Sequence, residues 1–506
     1  MRRVLLIAAL AALLLPAAAA AAPQAGSLSL GDPLFPQIGN GGYDALHYDL
    51  RLDYDTATNA LGTGTRTTIT ARATEDLSSF GLDFQRDLNV SAVTVDGAAA
   101  AFERRDARKR LSRDKRVSQP AKLIVTPAAP LAAGAEFTVA IDYAGVPKAI
   151  VDTDRSLEGW VRSCSRPDAC DGSFTVNEPI GAQSWFPCNN YMTDKATFTT
   201  TITVPDGYTA LGVGELAART PAGAGRTTWS WVEDDPTATY LTTATVGRYD
   251  FDDTQRFIDR TNGAELPIYA AVVAAGSPKA KARIAKATSR IPEMTNFLAK
   301  RYGPYPFDST GYVAGWVPRL GYALENQTKS HFAGTSNGPL VKNRELLHEL
   351  AHQWMGDNIT GASWQQIWFN EGWATFSEVF YAAAHGSEQS PREYFRAVHE
   401  SNVGNFRMPP ARLAGPEALF DGFAVYTRPG AMFEGFRDIV GNRRFFGFAR
   451  KLAAEHGYDT ISERQFVATA KRASGLGRAG KRRLGRYFRQ WLHRPGKPRI
   501  TPRDFG

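Results

Sequence analysis

His348 and His352 are separated by Glu349, Leu350 and Ala351, an H-E-x-x-H spacing set among helix-forming residues. A helix advances about 100° per residue, so positions i and i+4 lie nearly one above the other on the same face. Both imidazoles can then address one point. Zinc suits that point: neutral imidazole nitrogen binds it at about 2.0–2.1 Å, and a catalytic ion keeps three protein ligands and one position for water. Eighteen residues separate His352 from Glu371, a carboxylate able to complete a His, His, Glu set. Glu349 lies about 100° round the helix from His348, a poor direction for a ligand but a good one for a general base acting on water. The same five residues also suit an ordinary amphipathic helix. The downstream carboxylate and the concentration of Trp354, Trp364, Trp368 and Trp373 nearby favour the metal reading.

These side chains need two helices to meet. The pattern predicts a first helix ending near Gly356, a loop over Asp357 to Ser363, and a second helix carrying Glu371 and running to about Ala384. Antiparallel packing at about 8–10 Å would return Glu371 to the imidazoles. Glu378, two turns beyond Glu371 on the same face, is placed either to hydrogen-bond a ligand histidine or to act as a plain helix-pairing carboxylate.

The run HELAHQWMGD, followed by the NEGWA that contains Glu371, resembles the M1 zinc metallopeptidases, the gluzincin aminopeptidases related to aminopeptidase N and leukotriene A4 hydrolase. The resemblance implies one Zn2+ per chain, held by His348, His352 and Glu371, with Glu349 as base. It also implies a multi-domain α+β architecture: an all-β, saddle-shaped N-terminal domain followed by a thermolysin-like, mainly helical catalytic domain. Three further segments are similar to family motifs. In NEPIGAQSWFPCNN, Glu178 matches a glutamate that touches the amino-terminal end of the substrate; Gln183 and Asn190 stand where arginine and aspartate are common. In GYALENQT, Ala323 and Glu325 match an edge strand along which a peptide lies, its glutamate binding the free α-amine. Tyr322 and Leu324 replace the usual glycine and methionine there, a change at the first specificity pocket. In FAVYTRPGA, Tyr426 matches a tyrosine that donates to the oxyanion. Pro429 adds one residue before the glycine, so the helix behind Tyr426 is expected to start differently.

The chain has 506 residues, enough for several domains, and 43% hydrophobic content supports large cores. Residues 1–25 read as a secretory signal peptide: Arg2 and Arg3, an apolar run from Val4 to Leu15, then small residues, with cleavage between about Ala20 and Ala25. An uncleaved anchor is the alternative. After cleavage no segment is apolar enough for a stable membrane span, and the protein is expected to be secreted, extracellular or periplasmic. Export sets the three cysteines in an oxidising compartment. Cys164 and Cys170 are close enough in sequence to close a small disulfide ring, leaving Cys188 buried. From about Ser27 to Tyr249 strand alternation dominates; Pro278 to Tyr302 has helical spacing interrupted at Pro292. The expected division is therefore 26–252 for the β domain, 253–500 for the catalytic domain and 501–506 as a tail. The family resemblance ends near Phe488 to Pro498, where many relatives continue into a helical-repeat domain.

The formal charge of +8 falls to +6 without Arg2 and Arg3, and its excess is concentrated in Arg104 to Arg116 and Lys481 to Arg503. Neither run interleaves with aromatics, so both read as solvated faces and nucleic acid is not an expected partner. The expected partners are peptides with a free N-terminus; the residues define no subunit interface. Rival readings are an epoxide hydrolase or endopeptidase on the same metal, and a non-catalytic binding protein on the same scaffold.

Overall fold

The computed structural model describes residues 22–505 apart from 107–110, 167–168, 336–337, 340 and 388. Most of the leader, and the tip of the first basic run, lie outside the described residues. The strand Tyr43–Asp55 (β1) shows why the first half folds as sheet: Tyr48, Leu50, Leu52 and Tyr54 point into the core while Asp49, Arg51 and Asp53 point away. It pairs antiparallel with Arg66–Ala73 (β2), and the two belong to a nine-stranded sheet. A five-stranded sheet stacks behind it and includes Leu157–Ser163 (β3) and Gly172–Val176 (β4). In the nine-stranded sheet Ala196–Pro205 (β5) lies parallel to β1; in the five-stranded one Ala244–Gly247 (β6) lies against β4.

A further sheet of six strands opens the second half: Tyr249–Ile258 (β7), Glu265–Val273 (β8), Thr310–Trp316 (β9), the two-residue edge Ala323–Leu324 (β10), Ser330–Thr335 (β11) and the short Gly338–Pro339. Strands β8, β9 and β11 run parallel, and β10 pairs antiparallel with β11 at the rim. The expected boundary at 252/253 falls inside β7. That strand is mostly solvent-facing, so it carries no apolar alternation to mark it, and the change of sheet comes instead at the turn after β6. Helices Pro278–Thr288 (α1) and Ile291–Tyr302 (α2) connect β8 to β9; Pro292 sits in the first turn of α2, where its missing N–H costs nothing.

The remainder is mainly helical: Asn343–His352 (α3), Trp368–Ala384 (α4), Arg428–Val440 (α5), Arg478–His493 (α6) and three further helices between them. Their core is dense in aromatics. Trp373 stacks on Phe433 at 4.4 Å between ring centres, and Phe466 sits edge-on to Trp368 at 5.7 Å.

Both described chain ends are tied into the fold. Gln24–Ala25 pairs in parallel with Leu77–Asp83, so the leader boundary at residue 25 runs into a strand of the folded domain. At the other end Pro502–Phe505 form a short helix, the Phe505 ring packs on Tyr487, and the Asp504 carbonyl accepts from Arg483. The cysteines follow expectation, with Cys164 bonded to Cys170 and Cys188 free and buried.

Candidate active site

Helix α3 carries the two histidines and α4, packed against it, presents Glu371 in its first turn. The turn between them is fixed at Trp354, whose indole N–H is shared by the carbonyls of Gly303 and Pro304 at 3.0 and 2.9 Å. Glu371 Oε2 lies 3.1 Å from His348 Nε2 and 3.5 Å from His352 Nε2. All three atoms fall within 4.8 Å of one another.

The other ring nitrogens are occupied elsewhere. His348 Nδ1 meets Glu378 Oε1 at 2.5 Å and His352 Nδ1 meets the Met355 carbonyl at 3.2 Å. Donation from both Nδ1 atoms turns the Nε2 lone pairs towards the Glu371 carboxylate, leaving three acceptors facing one another. Tetrahedral bonds of about 2.0–2.1 Å would hold such atoms about 3.3 Å apart, between the 3.1 and 3.5 Å that separate Glu371 Oε2 from the two imidazoles. The electrostatics agree. Burial pushes His352 down, but Glu325 and Glu371 outweigh it and hold it at about 9. Burial likewise pushes Glu371 up, and the imidazoles, His352 first, bring it down to about 2. The site calls for positive charge, and one divalent ion supplies it.

Of the two placements open to Glu378, the structure shows the contact with His348, and Arg344, a partner that the sequence pattern did not single out, holds the same carboxylate. Glu349 belongs to a different grouping: its carboxylate lies with those of Glu325 and His352 Nε2 or Nδ1 inside one 4.8 Å cluster. Burial, opposed by the two imidazoles, raises it to about 8. A third cluster joins Glu178, Glu325 and Glu371, again within 4.8 Å. Glu178 and Glu325 are only 7% and 2% exposed, and each keeps one oxygen without a hydrogen-bond partner. Two buried acids with unpaired oxygens need a cation between them.

These acids are held by scaffolding the motifs only partly reveal. Gln353, directly after His352, donates to the Glu325 carbonyl at 3.0 Å and accepts from Thr328 N at 2.9 Å, pinning the β10 segment to α3. Beneath Glu178, the buried Glu158 accepts from Ile180 N at 2.9 Å. The two departures from the family pattern converge on the same residue: Gln183 and Asn190 both donate to the Ile180 carbonyl, at 3.1 and 2.8 Å. Neutral amides thus steady the Glu178 loop. Sequence spacing held no signal for Glu158, which lies on β3, twenty residues before Glu178.

Tyr426 stands over His348, ring centres 6.0 Å apart, on a π-helical turn spanning Gly422–Thr427 that runs straight into α5. A π-turn accommodates one extra residue without breaking a helix, so the added Pro429 is absorbed just after Tyr426. Ala323, Glu325, Glu178, Glu349 and Tyr426 line one cavity of about 470 Å³ together with the three metal-facing residues. Every residue expected to bind metal or substrate, or to act on it, therefore lines this cavity; the disulfide pair Cys164 and Cys170 does not.

Two family models match this chain: the peptidase M1 N-terminal domain over residues 44–241 and the peptidase family M1 domain over 342–491. The chain belongs to peptidase family M1. Solved M1 structures carry the likeness across nearly the whole fold. An M1 zinc metallopeptidase from Deinococcus radiodurans is 25% identical with a TM-score of 0.76, covering 93% of this chain and 98% of that one. A mutant of the Deinococcus enzyme has also been solved with a Tyr-Ser-Ala substrate bound. Yeast LTA4 hydrolase shares the fold at 19% identity and a TM-score of 0.68, over 91% of this chain and 69% of that one. By sequence, aminopeptidase M1-A of Oryza sativa subsp. japonica is 28% identical over 241 residues, 46% of this chain. Human glutamyl aminopeptidase is 28% identical over 211 residues, 40% of this chain. The matches span only 26% and 21% of those two longer relatives. The M1 family implies a single catalytic zinc, and the donor set of His348, His352 and Glu371 fits it.

Proposed function

We propose that this M1 protein is an aminopeptidase that removes the first residue from peptides with a free N-terminus. The observation that carries the reading is the convergence of Glu178, Glu325 and Glu371 within 4.8 Å, beside Glu349 and at the metal-facing atoms. A protonated α-amine fits between Glu178 and Glu325, whose unpaired buried oxygens it would satisfy. That contact sets the scissile bond one residue along. Zinc held by His348, His352 and Glu371 would acidify a water and polarise the carbonyl. Glu349 takes a proton from the attacking water and delivers it to the leaving nitrogen as the C–N bond breaks. Tyr426 donates its phenol O–H to the oxygen that becomes negative as the carbonyl carbon turns tetrahedral; burial keeps that phenol protonated, its pKa pushed well above the usual value by desolvation and the nearby acids.

The reading includes export. The Cys164–Cys170 bond supports an oxidising compartment, and the pairing of Gln24–Ala25 with the domain supports leader cleavage before Gln24. Among the described residues no helix is long and apolar enough to cross a membrane. A matched pair of peptides tests the activity: the free-amine form should be hydrolysed at least about a hundredfold faster (kcat/KM) than its N-acetylated twin, because blocking leaves two buried carboxylates unpaired. Equal turnover of the acetylated peptide would refute the exopeptidase reading.

A further inference from the structure

The cavity has two unlike ends. Arg344, Glu345 and Glu378 line one, and Arg344 and Glu378 also line a neighbouring hollow of about 550 Å³ that continues past Tyr381 and Tyr394. The ion-paired Arg344 and Glu378 stand at the border of the two hollows, so a peptide longer than the first cavity would cross them on this side. The other end is walled by the turn before β3, which brings Asp154 and Ser156 to the cavity beside Glu178, Tyr322 and Phe420.

We infer that the Asp154 end is the subsite for the side chain of the substrate's first residue, and that Asp154 and Tyr322 select lysine or arginine there. The inference rests on the aminopeptidase reading. With the α-amine between Glu178 and Glu325 and the scissile carbonyl at Glu349 and Tyr426, the rest of the peptide leaves by the Arg344 end, towards the bordering hollow. Only the first side chain remains to occupy the Asp154 end.

The chemistry of that end favours a cation. Among the described residues lining it, none is lysine or arginine: Arg155, next to Asp154, turns instead to Asp114 at 3.3 Å. Behind the wall, Asp152 and Glu158 are 1% and 0% exposed, and each holds an oxygen without a hydrogen-bond partner. Tyr322 is locked in place by donating to the Leu157 carbonyl at 2.6 Å. Tyr322 shares this lining with Asp154 and Glu178, and burial first, then Glu158, Glu178, Asp152 and Asp154, push its phenol pKa well up. A fixed aromatic ring beside a carboxylate takes an alkyl stem with a cationic tip: the stem covers the ring and the tip reaches the acid. A glutamate side chain entering there finds carboxyl groups and, among the described residues lining that end, no lysine or arginine to pair with.

A panel of aminoacyl amides tests this on the full-length zinc enzyme. Arginyl and lysyl substrates should exceed methionyl by at least about tenfold in kcat/KM, with glutamyl the poorest. Free L-arginine should inhibit competitively at lower concentration than L-norleucine. Asp154→Asn should cut the arginyl-to-methionyl ratio by about tenfold, and Asp154→Lys should raise glutamyl relative to arginyl; thermal melts confirm that both variants fold. Methionyl turned over faster than arginyl by the wild type, or an arginyl-to-methionyl ratio unmoved by Asp154→Asn, would overturn the inference while leaving the aminopeptidase reading intact. Failure to turn over any unblocked substrate would overturn both.

Discussion

Glu349 is where chemistry and assembly separate. Its neighbours His348 and His352 face Glu371, whereas its own carboxylate faces Glu325 across the cavity. Glu349→Gln keeps the volume and removes the basic oxygen, so kcat should fall by about 10²–10⁴ while zinc content stays at one per chain. Metal analysis and single-substrate kinetics on the same preparation check this, and a variant within threefold of wild-type kcat would assign the proton transfer elsewhere. Tyr426→Phe makes a different separation. Losing one donor aimed at developing charge should lower kcat by about 10²–10³ with KM little changed, because the phenol contributes after the ground state is bound. A rise in KM at constant kcat would make Tyr426 a binding residue instead.

The pair α3 and α4 was legible from its own residues: the i, i+4 histidines, the helical run after Glu371 and the end at Ala384 all appear in the structure where the pattern puts them. Local periodicity encodes such elements because each turn reports its own buried face. What was not legible lies in contacts between distant segments. The six-stranded sheet hides because β9 is buried along its whole length and β7 is mostly exposed, so neither alternates. Gln353 and Glu158 position the acids through hydrogen bonds to backbone, which leave no periodic trace. Gly372, by contrast, has a purpose that only packing explains. A Cβ there would lie 2.7 Å from Pro429 Cβ and 2.9 Å from Phe433 Cε2, so this glycine lets α4 and α5 touch directly below Glu371. Gly372→Ala should therefore cost about 1–3 kcal/mol in denaturant unfolding and weaken zinc retention by shifting the adjacent ligand. An unchanged midpoint would mean that the helices part freely, and that Glu371 is held by something other than this contact.

The two halves of the protein are joined by buried polar contacts that a sequence pattern cannot foresee, and one of them makes the joint sensitive to acid. His331, on β11 of the second half, is fully buried; its Nε2 meets the hydroxyls of Thr243 and Thr245 at 3.1 and 2.9 Å, at the start of β6 in the first half. Its Nδ1 meets the Lys329 carbonyl at 2.7 Å, and Phe174 covers the ring at 4.9 Å. Burial, with the nearby Lys329 charge, lowers the folded pKa to about 3, whereas the unfolded chain protonates at about 6.5. Below about pH 6.5 the unfolded state binds a proton that the native state refuses, so stability falls as pH drops through the window from about 6.5 to about 3. Between pH 7 and pH 5 the loss from this one group should be about 2 kcal/mol. His331→Gln keeps a neutral polar group but does not titrate. Its denaturation midpoint should sit below wild type at pH 7, because the fit to both threonines is disturbed, and the gap should narrow by pH 5 as wild type alone pays for protonating its unfolded chain. A gap that stayed constant across that range would place the acid sensitivity of the joint in other groups.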